Sequence, residues 1–153
     1  MIDEGILICA QTGQDENGNS DLSAARLLLD FIGNCHRIAL NADITEKYKR
    51  QFSSLTQRRF VGAVNVVDIL RNAMFNSDKV TEIAHPTPLD PRMLAAIPHD
   101  DLPFVSAAIT AQAVLVTVDT RLRDCLNDCG VIQRYGLTVL RPEDAVHLAA
   151  PTR

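Results

Sequence analysis

The sequence lacks any hydrophobic run long enough to cross a membrane and any motif for a bound nucleotide or zinc ion. No stretch of its 153 residues approaches the 18 consecutive apolar residues typical of a membrane-spanning helix. The N-terminus has neither the basic flank nor the long apolar segment of a secretory signal, which predicts a cytoplasmic protein. The patterns GxxxxGK[ST], GxGxxG and HExxH are missing as well, so no motif supports nucleotide binding or zinc-protease chemistry.

Cysteine and positive charge are also scarce. The four cysteines are not spaced as a disulfide framework, and we interpret them as buried thiols; they are Cys9, Cys35, Cys125 and Cys129. The formal net charge of −4 argues against a protein that coats nucleic acid through bulk charge, although a localised basic patch remains compatible with it. A hydrophobic content of 46% and a charged content of 22% are ordinary for a globular protein, and we predict one domain over residues 1–153.

Short apolar segments typical of buried strands alternate with segments of helical spacing. Strands are predicted at residues 36–40, 80–84, 114–116 and 137–140. Helices are predicted at residues 20–34, 44–53, 55–75 (as one helix or two), 91–96, 101–112, 121–127 and 142–147. This alternation predicts an α/β domain whose mostly parallel sheet lies between helical layers.

Two aspartates stand at the ends of predicted elements between residues 99 and 119. Asp101 precedes Leu102 and Pro103, and proline is tolerated only in the first turn of a helix, so the helix begins close to Asp101. Asp119 follows the strand at residues 114–116. In a strand–helix–strand unit these two kinds of end lie along one edge of the sheet, so the carboxylates could face one another. Aspartate is also a favoured helix N-cap, and the sequence leaves open that both residues only cap helices.

Three segments of the C-terminal half occur in a recognisable order. They are Asp-Leu-Pro-Phe at 101–104, Leu-Val-Thr-Val-Asp at 115–119 and Gly-Leu-Thr-Val-Leu-Arg-Pro-Glu-Asp at 136–144. The order resembles the helix start, strand end, closing strand and terminal helix of PIN domains, a family of metal-dependent ribonucleases. The resemblance implies a PIN-like three-layer α/β/α sandwich with a mostly parallel central sheet.

The resemblance also implies an acidic site residue near the N-terminus. Asp3 stands where the family's first strand ends in an aspartate, and residues 6–8 match the start of the following helix. Glu4 and Gly5 depart from the family, which usually has a small hydroxyl residue and asparagine there. The residues alone leave open that 6–10 is itself a strand and that Asp3 is a solvated terminus.

A fourth acid is expected on the helix at 44–53, where the family places one directly before an aromatic residue or leucine. In this chain Lys47 directly precedes Tyr48, so Glu46 matches with an offset of one residue. One position on a helix is a rotation of about 100 degrees, which could aim Glu46 away from the site. Asp43, one turn earlier, is the alternative, and Glu46 is equally compatible with an exposed helix face.

The resemblance, carried by these residues, implies a Mg²⁺- or Mn²⁺-dependent endoribonuclease. The resemblance implies that Asp3, Asp101 and Asp119 hold the ion and that Glu46 assists, while Thr117 could steady Asp119 through its hydroxyl. Clustered carboxylates repel one another unless a cation neutralises them, and Mg²⁺ and Mn²⁺ prefer such oxygen ligands. The family further implies single-stranded RNA as substrate, and either a toxin paired with a small inhibitory protein or an RNA-processing factor. A homodimer is compatible with the sequence.

Two other functions remain open at this point. The irregular start at Asp3 and the displaced Glu46 are also compatible with a catalytically impaired PIN-like domain that binds RNA or docks a protein. A phosphoacceptor domain has less support, because Arg134 and Arg141 are the only basic residues near the last strand. A basic stretch is either a solvated face or a contact strip for RNA phosphates; its residues are Lys47, Lys49, Arg50, Arg58, Arg59 and Arg71.

Overall fold

Helices alternate with short strands in the computed structural model, which describes residues 1–57 and 66–149. The helices are α1 (Glu4–Thr12), α2 (Ser23–Gly33), α3 (Ala42–Gln57), α4 (Val66–Met74), α5 (Pro91–Ala96), α6 (Leu102–Thr110), α7 (Thr120–Asp128), α8 (Val131–Tyr135) and α9 (Pro142–Ala149). The strands are β1 (Ile38–Leu40), β2 (Val80–Glu82), β3 (Leu115–Val116) and β4 (Val139–Leu140), and a 3-10 helix (Ser77–Lys79) precedes β2. The predicted mixture of helices and strands is confirmed.

The strands pair in parallel, as the alternation predicted. β1 pairs with β2 and β3 pairs with β4, each as a two-stranded parallel sheet. Ile2 forms one further parallel bridge with Val116, where the Val116 N–H donates to the Met1 carbonyl at 2.8 Å and the Asp3 N–H donates to the Val116 carbonyl at 2.9 Å. The pairing among the described residues stops short of the single continuous sheet that the sequence predicted.

The first ten residues resolve one of the open alternatives. Residues 6–10 belong to α1, so the alternative of a strand there is wrong, and Asp3 is the residue directly before the helix. Gly5 allows the first turn of α1 to come close to the segment after β3, because a Cβ at Gly5 would lie 2.9 Å from Val118 Cγ2. The unusual Gly5 therefore has a packing reason.

Most other predicted elements occur close to their expected positions. α6 begins at Leu102 with Pro103 in its first turn, and α9 begins at Pro142, where proline's missing N–H costs no helical hydrogen bond. The predicted helix at 44–53 is longer, as α3, and the predicted helical segment at 55–75 is described only in the end of α3 and in α4. The part of that segment between residues 58 and 65 lies outside the described residues.

A hydrophobic core joins the helices to the strands. Its largest fully buried side chains include Tyr48 and Phe104, whose ring centroids lie 6.1 Å apart, and the Tyr48 hydroxyl donates a hydrogen bond to the Ile2 carbonyl. The prediction of buried thiols holds for Cys9 and is wrong for Cys35, which is exposed; Cys125 and Cys129 are partly buried. Within residues 1–57 and 66–149, none of the helices combines the length and apolar character needed to cross a membrane.

Candidate functional site

A buried threonine connects two of the predicted site residues. Because Ile2 and Val116 pair in parallel, the residues that follow them, Asp3 and Thr117, leave the paired segments at the same edge. The Thr117 hydroxyl donates to Asp3 Oδ2 at 2.6 Å and accepts from the Asp119 N–H at 3.0 Å. The prediction that the Thr117 hydroxyl steadies Asp119 is confirmed at the Asp119 backbone N–H, and the same hydroxyl also contacts the Asp3 carboxylate. Its position fixes Asp3 relative to the end of β3.

Asp3 is buried beside a second negative charge. Its exposed fraction is 6%, so the solvated-terminus alternative is wrong. Burial raises the pKa of Asp3 above its ordinary value, and the Asp119 carboxylate raises it further. The Thr117 hydroxyl and the backbone N–H groups of Glu4 and Gly5 act in the opposite direction, because they favour the ionised form. A proton or a cation would therefore be stabilised at this position.

Asp101 belongs to the same electrostatic neighbourhood. It directly precedes α6, but its side chain makes no capping hydrogen bond, so the capping alternative does not explain it. Its pKa is raised from 3.8 to about 6, first by burial and then by the negative charges of Asp3 and Asp119. The negative charges of Asp3 and Asp119 thus raise the free energy of ionised Asp101, and the charge of Asp119 does the same for Asp3, as expected of neighbouring carboxylates.

Asp119 has a structural role as well. Its Oδ1 accepts from the Arg121 N–H at 2.8 Å and from the Leu122 N–H at 3.1 Å, so the capping interpretation is confirmed for this residue. The Arg121 side chain lies nearby, with Nε 3.8 Å from the same oxygen. Both capping hydrogen bonds are accepted by Oδ1, so they orient the Asp119 carboxylate without involving Oδ2.

The structure does not bring Glu46 to these three aspartates. Glu46 is exposed and pairs with Lys49 on its own helix, at 2.7 Å between Lys49 Nζ and Glu46 Oε1. This contact lowers the pKa of Glu46, and Glu46 is not among the groups that shift the pKa of Asp3 or Asp101. The offset of one helical position accounts for the difference, because it rotates the side chain by about 100 degrees. The fallback residue, Asp43, is also exposed.

Two residues that sequence reasoning had not assigned to the site lie beside it. Burial raises the pKa of Glu4, the Lys47 ammonium lowers it, and the negative charges of Asp3 and Asp100 raise it again. Lys47 Nζ is 3.4 Å from Asp100 Oδ1, and the Lys47 side chain is only 13% exposed. A signal for Lys47 was present in the sequence, since this residue, not Glu46, directly precedes the buried Tyr48. We call Asp3, Glu4, Asp101 and Asp119 the carboxylate cluster.

A cleft of about 520 Å³ opens next to the carboxylate cluster. Its walls carry both signs of charge, with Glu4, Asp100, Lys47 and Arg50 among the lining residues. His99, the histidine that adjoins Asp100 in the sequence, lines it too. The cleft therefore offers basic groups close to the acids, which suits a polyanion approaching a cation site.

The other residues of the basic stretch mostly contact acidic partners. Lys49 pairs with Glu46, and Arg71 Nη2 lies 3.4 Å from Asp68 Oδ1. Arg58 and Arg59 lie outside the described residues. The expected contact strip is therefore narrowed, among the described residues, to Lys47 and Arg50 at the cleft.

The carboxylate cluster has the right kind of donors for Mg²⁺ or Mn²⁺, which take hard oxygen ligands. The carboxylate oxygens do not surround a common point. Among residues 1–57 and 66–149, no three acidic, histidine or cysteine side chains are placed to enclose a metal ion. Direct coordination of Mg²⁺ needs oxygens about 2.0–2.1 Å from the ion, so at least one side chain must turn, or water must bridge. Asp101 is the candidate to turn, because no cap holds its carboxylate.

Comparison of the chain with models of protein families, with curated proteins and with solved structures gave no match.

Proposed function

We propose that the protein is a Mg²⁺- or Mn²⁺-dependent endoribonuclease of the PIN type. The supporting observation is the arrangement of three aspartates from distant parts of the sequence: Thr117 joins Asp3 to the Asp119 backbone, and the charges of both aspartates raise the pKa of Asp101. Burying carboxylates next to one another is costly without a positive charge. A cation-dependent reaction explains why a fold would retain this arrangement.

In this proposal Asp3, Asp101 and Asp119 hold the divalent ion directly or through water. The bound ion would supply an activated water and stabilise the negative charge that develops on the scissile phosphate. The Thr117 hydroxyl keeps the Asp3 carboxylate oriented, and the α7 cap keeps Asp119 oriented. RNA as the substrate follows from the resemblance, and the cleft with Lys47 and Arg50 would receive neighbouring phosphates. Glu46 would not contact the ion.

The fold proposal is a PIN-like three-layer α/β/α sandwich formed as one domain over residues 1–153. Its support is the parallel direction of the two strand pairs among the described residues and the bridge by which Ile2 joins β3. We further propose a cytoplasmic enzyme acting on single-stranded RNA, either as a toxin with a small inhibitory protein partner or as an RNA-processing factor. A homodimer is part of the same proposal.

The direct test is cleavage of end-labelled single-stranded RNA with Mn²⁺ or Mg²⁺, compared with EDTA. Asp101→Asn should lower the cleavage rate by about a hundredfold or more, the size of loss typical when one charge-stabilising group is removed. Asp124→Asn is the matched control, since Asp124 is an exposed aspartate of α7 and should retain the rate. Cleavage that persists in EDTA, or an Asp101→Asn rate equal to that of the control, would refute the proposal.

The second candidate function is an impaired PIN-like domain that binds RNA or docks a protein without cleaving. It is favoured by a specific observation: Glu46 points to Lys49, and Lys47 lies next to the acids in its place. Titration with Mn²⁺ separates the two functions, because an ion that binds only the folded protein raises the melting temperature by mass action. RNA binding seen by fluorescence anisotropy, with neither Mn²⁺ stabilisation nor cleavage, would favour this second function.

A further inference from the structure

Lys47 is a charged side chain that α3 keeps largely out of water. Its side chain is 13% exposed, whereas that of Lys49, two positions later on the same helix, is 57% exposed. α3 packs against α1 and α6, the helices that follow Asp3 and Asp101. Burying an ammonium is costly unless negative groups surround it. Its partner Asp100 is 88% exposed, so that single contact is a weak compensation.

The compensation comes from negative groups on both neighbouring helix starts. Lys47 lines the cleft together with Glu4, the first residue of α1, and its Nζ lies 3.4 Å from Asp100 Oδ1, next to Asp101 before α6. In agreement with this placement, the ammonium lowers the pKa of Glu4 and of Asp101. The other charged or titratable groups around the shared cleft are Asp43, Glu46 and Arg50 on α3 itself, and His99 and Asp100 before α6. The Lys47 ammonium therefore lies beside the acids at the starts of both α1 and α6.

We propose that Lys47 is a built-in counter-ion of the carboxylate cluster, stabilising Glu4 and Asp101 in the metal-free protein and competing with a divalent ion for them. The competition rests on the proposed metal-dependent function, but the counter-ion role does not. Lys47 acts as a positioning residue, since it keeps the acids together before an ion arrives. Its charge also repels the ion, so the wild-type site binds the ion less tightly than the same acids would without Lys47.

The counter-ion role is tested without metal by a double-mutant cycle in EDTA. In the wild type, Asp101→Asn removes repulsion from the other acids but also an attraction to Lys47. In Lys47→Met, which keeps the aliphatic stem, only repulsion is left to remove. Asp101→Asn should therefore raise the melting temperature by about 2–4 °C more in the Lys47→Met background than in the wild type, which corresponds to coupling between neighbouring charges in a domain of this size.

Lys49→Met is the matched control, because it removes the same charge from an exposed position of the same helix. Its effect and that of Asp101→Asn should add, as expected for sites that share no partner. Lys47→Arg keeps the charge and should restore most of the wild-type behaviour. The counter-ion proposal would be overturned if the changes in melting temperature from Lys47→Met and Asp101→Asn simply added, as those from Lys49→Met and Asp101→Asn should.

The competition is tested by calorimetric titration of each folded variant with Mn²⁺. Lys47→Met should bind Mn²⁺ about tenfold more tightly than the wild type, because the two positive charges attract the same carboxylates across a partly buried distance. Lys49→Met should bind within about twofold of the wild type, since surface charges are screened. Unchanged affinity in Lys47→Met would overturn the competition. If Lys47→Met and Asp101→Asn are coupled in EDTA but neither the wild type nor any variant binds Mn²⁺, the counter-ion role is supported and the metal-dependent function is refuted.

Discussion

Replacing Thr117 by valine tests the hydrogen bonds that hold the site together. Valine has nearly the same shape, so the change removes the donor to Asp3 Oδ2 and the acceptor for the Asp119 N–H while filling the same space. A hydrogen bond to a charged group contributes about 1.5–3 kcal/mol, and a buried N–H left without a partner costs about 1–3 kcal/mol. Because the Asp119 N–H is only partly buried, we expect a total loss of about 2–4 kcal/mol in the free energy of unfolding at neutral pH.

The assay is urea unfolding in EDTA, followed by circular dichroism. Thr117→Ser is the control: it keeps the hydroxyl and removes one methyl group, which should cost only about 1 kcal/mol. The melting temperature of Thr117→Val should fall by roughly 5–12 °C. The deficit should shrink at acid pH, because a protonated Asp3 no longer needs this donor. If Thr117→Val were as stable as Thr117→Ser at neutral pH, the reasoning that places a charged Asp3 against this hydroxyl would be refuted.

Two further predictions concern the same edge of the molecule. Because the pKa of Asp101 is raised to about 6 from 3.8, the metal-free protein should lose stability as the pH rises from about 4 through 6. In Asp101→Asn the melting temperature should decline less between pH 4.5 and 7.5 than it does in the wild type. An equally steep decline in the variant would contradict the placement of Asp101. Gly5→Ala would bring a Cβ within 2.9 Å of Val118 Cγ2 and should cost about 1–3 kcal/mol in urea unfolding. Gly33→Ala, which meets nothing within 4 Å, is its control, and equal stability of the two variants would show that Val118 yields freely.

Local signals predicted the elements because they depend on neighbouring residues. Pro103 and Pro142 each stand in the first turn of a helix, where a missing N–H does no harm, and both helices begin as expected. Such local signals did not predict how far the strands would pair. The sequence predicted parallel strands, but the extent of the sheet depends on contacts between distant segments, and the described strands are shorter than the apolar runs suggested.

The proximity of three aspartates was predicted from the sequence, but the residues that surround them were not. Asp3, Asp101 and Asp119 stood at predicted element ends, and the structure places Asp3 and Asp119 where their charges raise the pKa of Asp101. The sequence did not show whether Glu46 or Lys47 would face the three aspartates. Both lie on one helix, and which of them faces the acids depends on how α3 packs against α1 and α6.

The sequence by itself determined that helices alternate with short strands and that α6 and α9 begin at their prolines, because caps, prolines and apolar periodicity act over a few residues. Only the tertiary structure decided that Asp3 is buried, that Thr117 joins it to Asp119, and that Lys47 lies beside Glu4 and Asp100 at the cleft. The physical reason is that burial and Coulomb interactions depend on distances between atoms far apart in the chain, which packing sets. The rotation of α3 therefore gives the carboxylate cluster a positive neighbour where the sequence had predicted another acid.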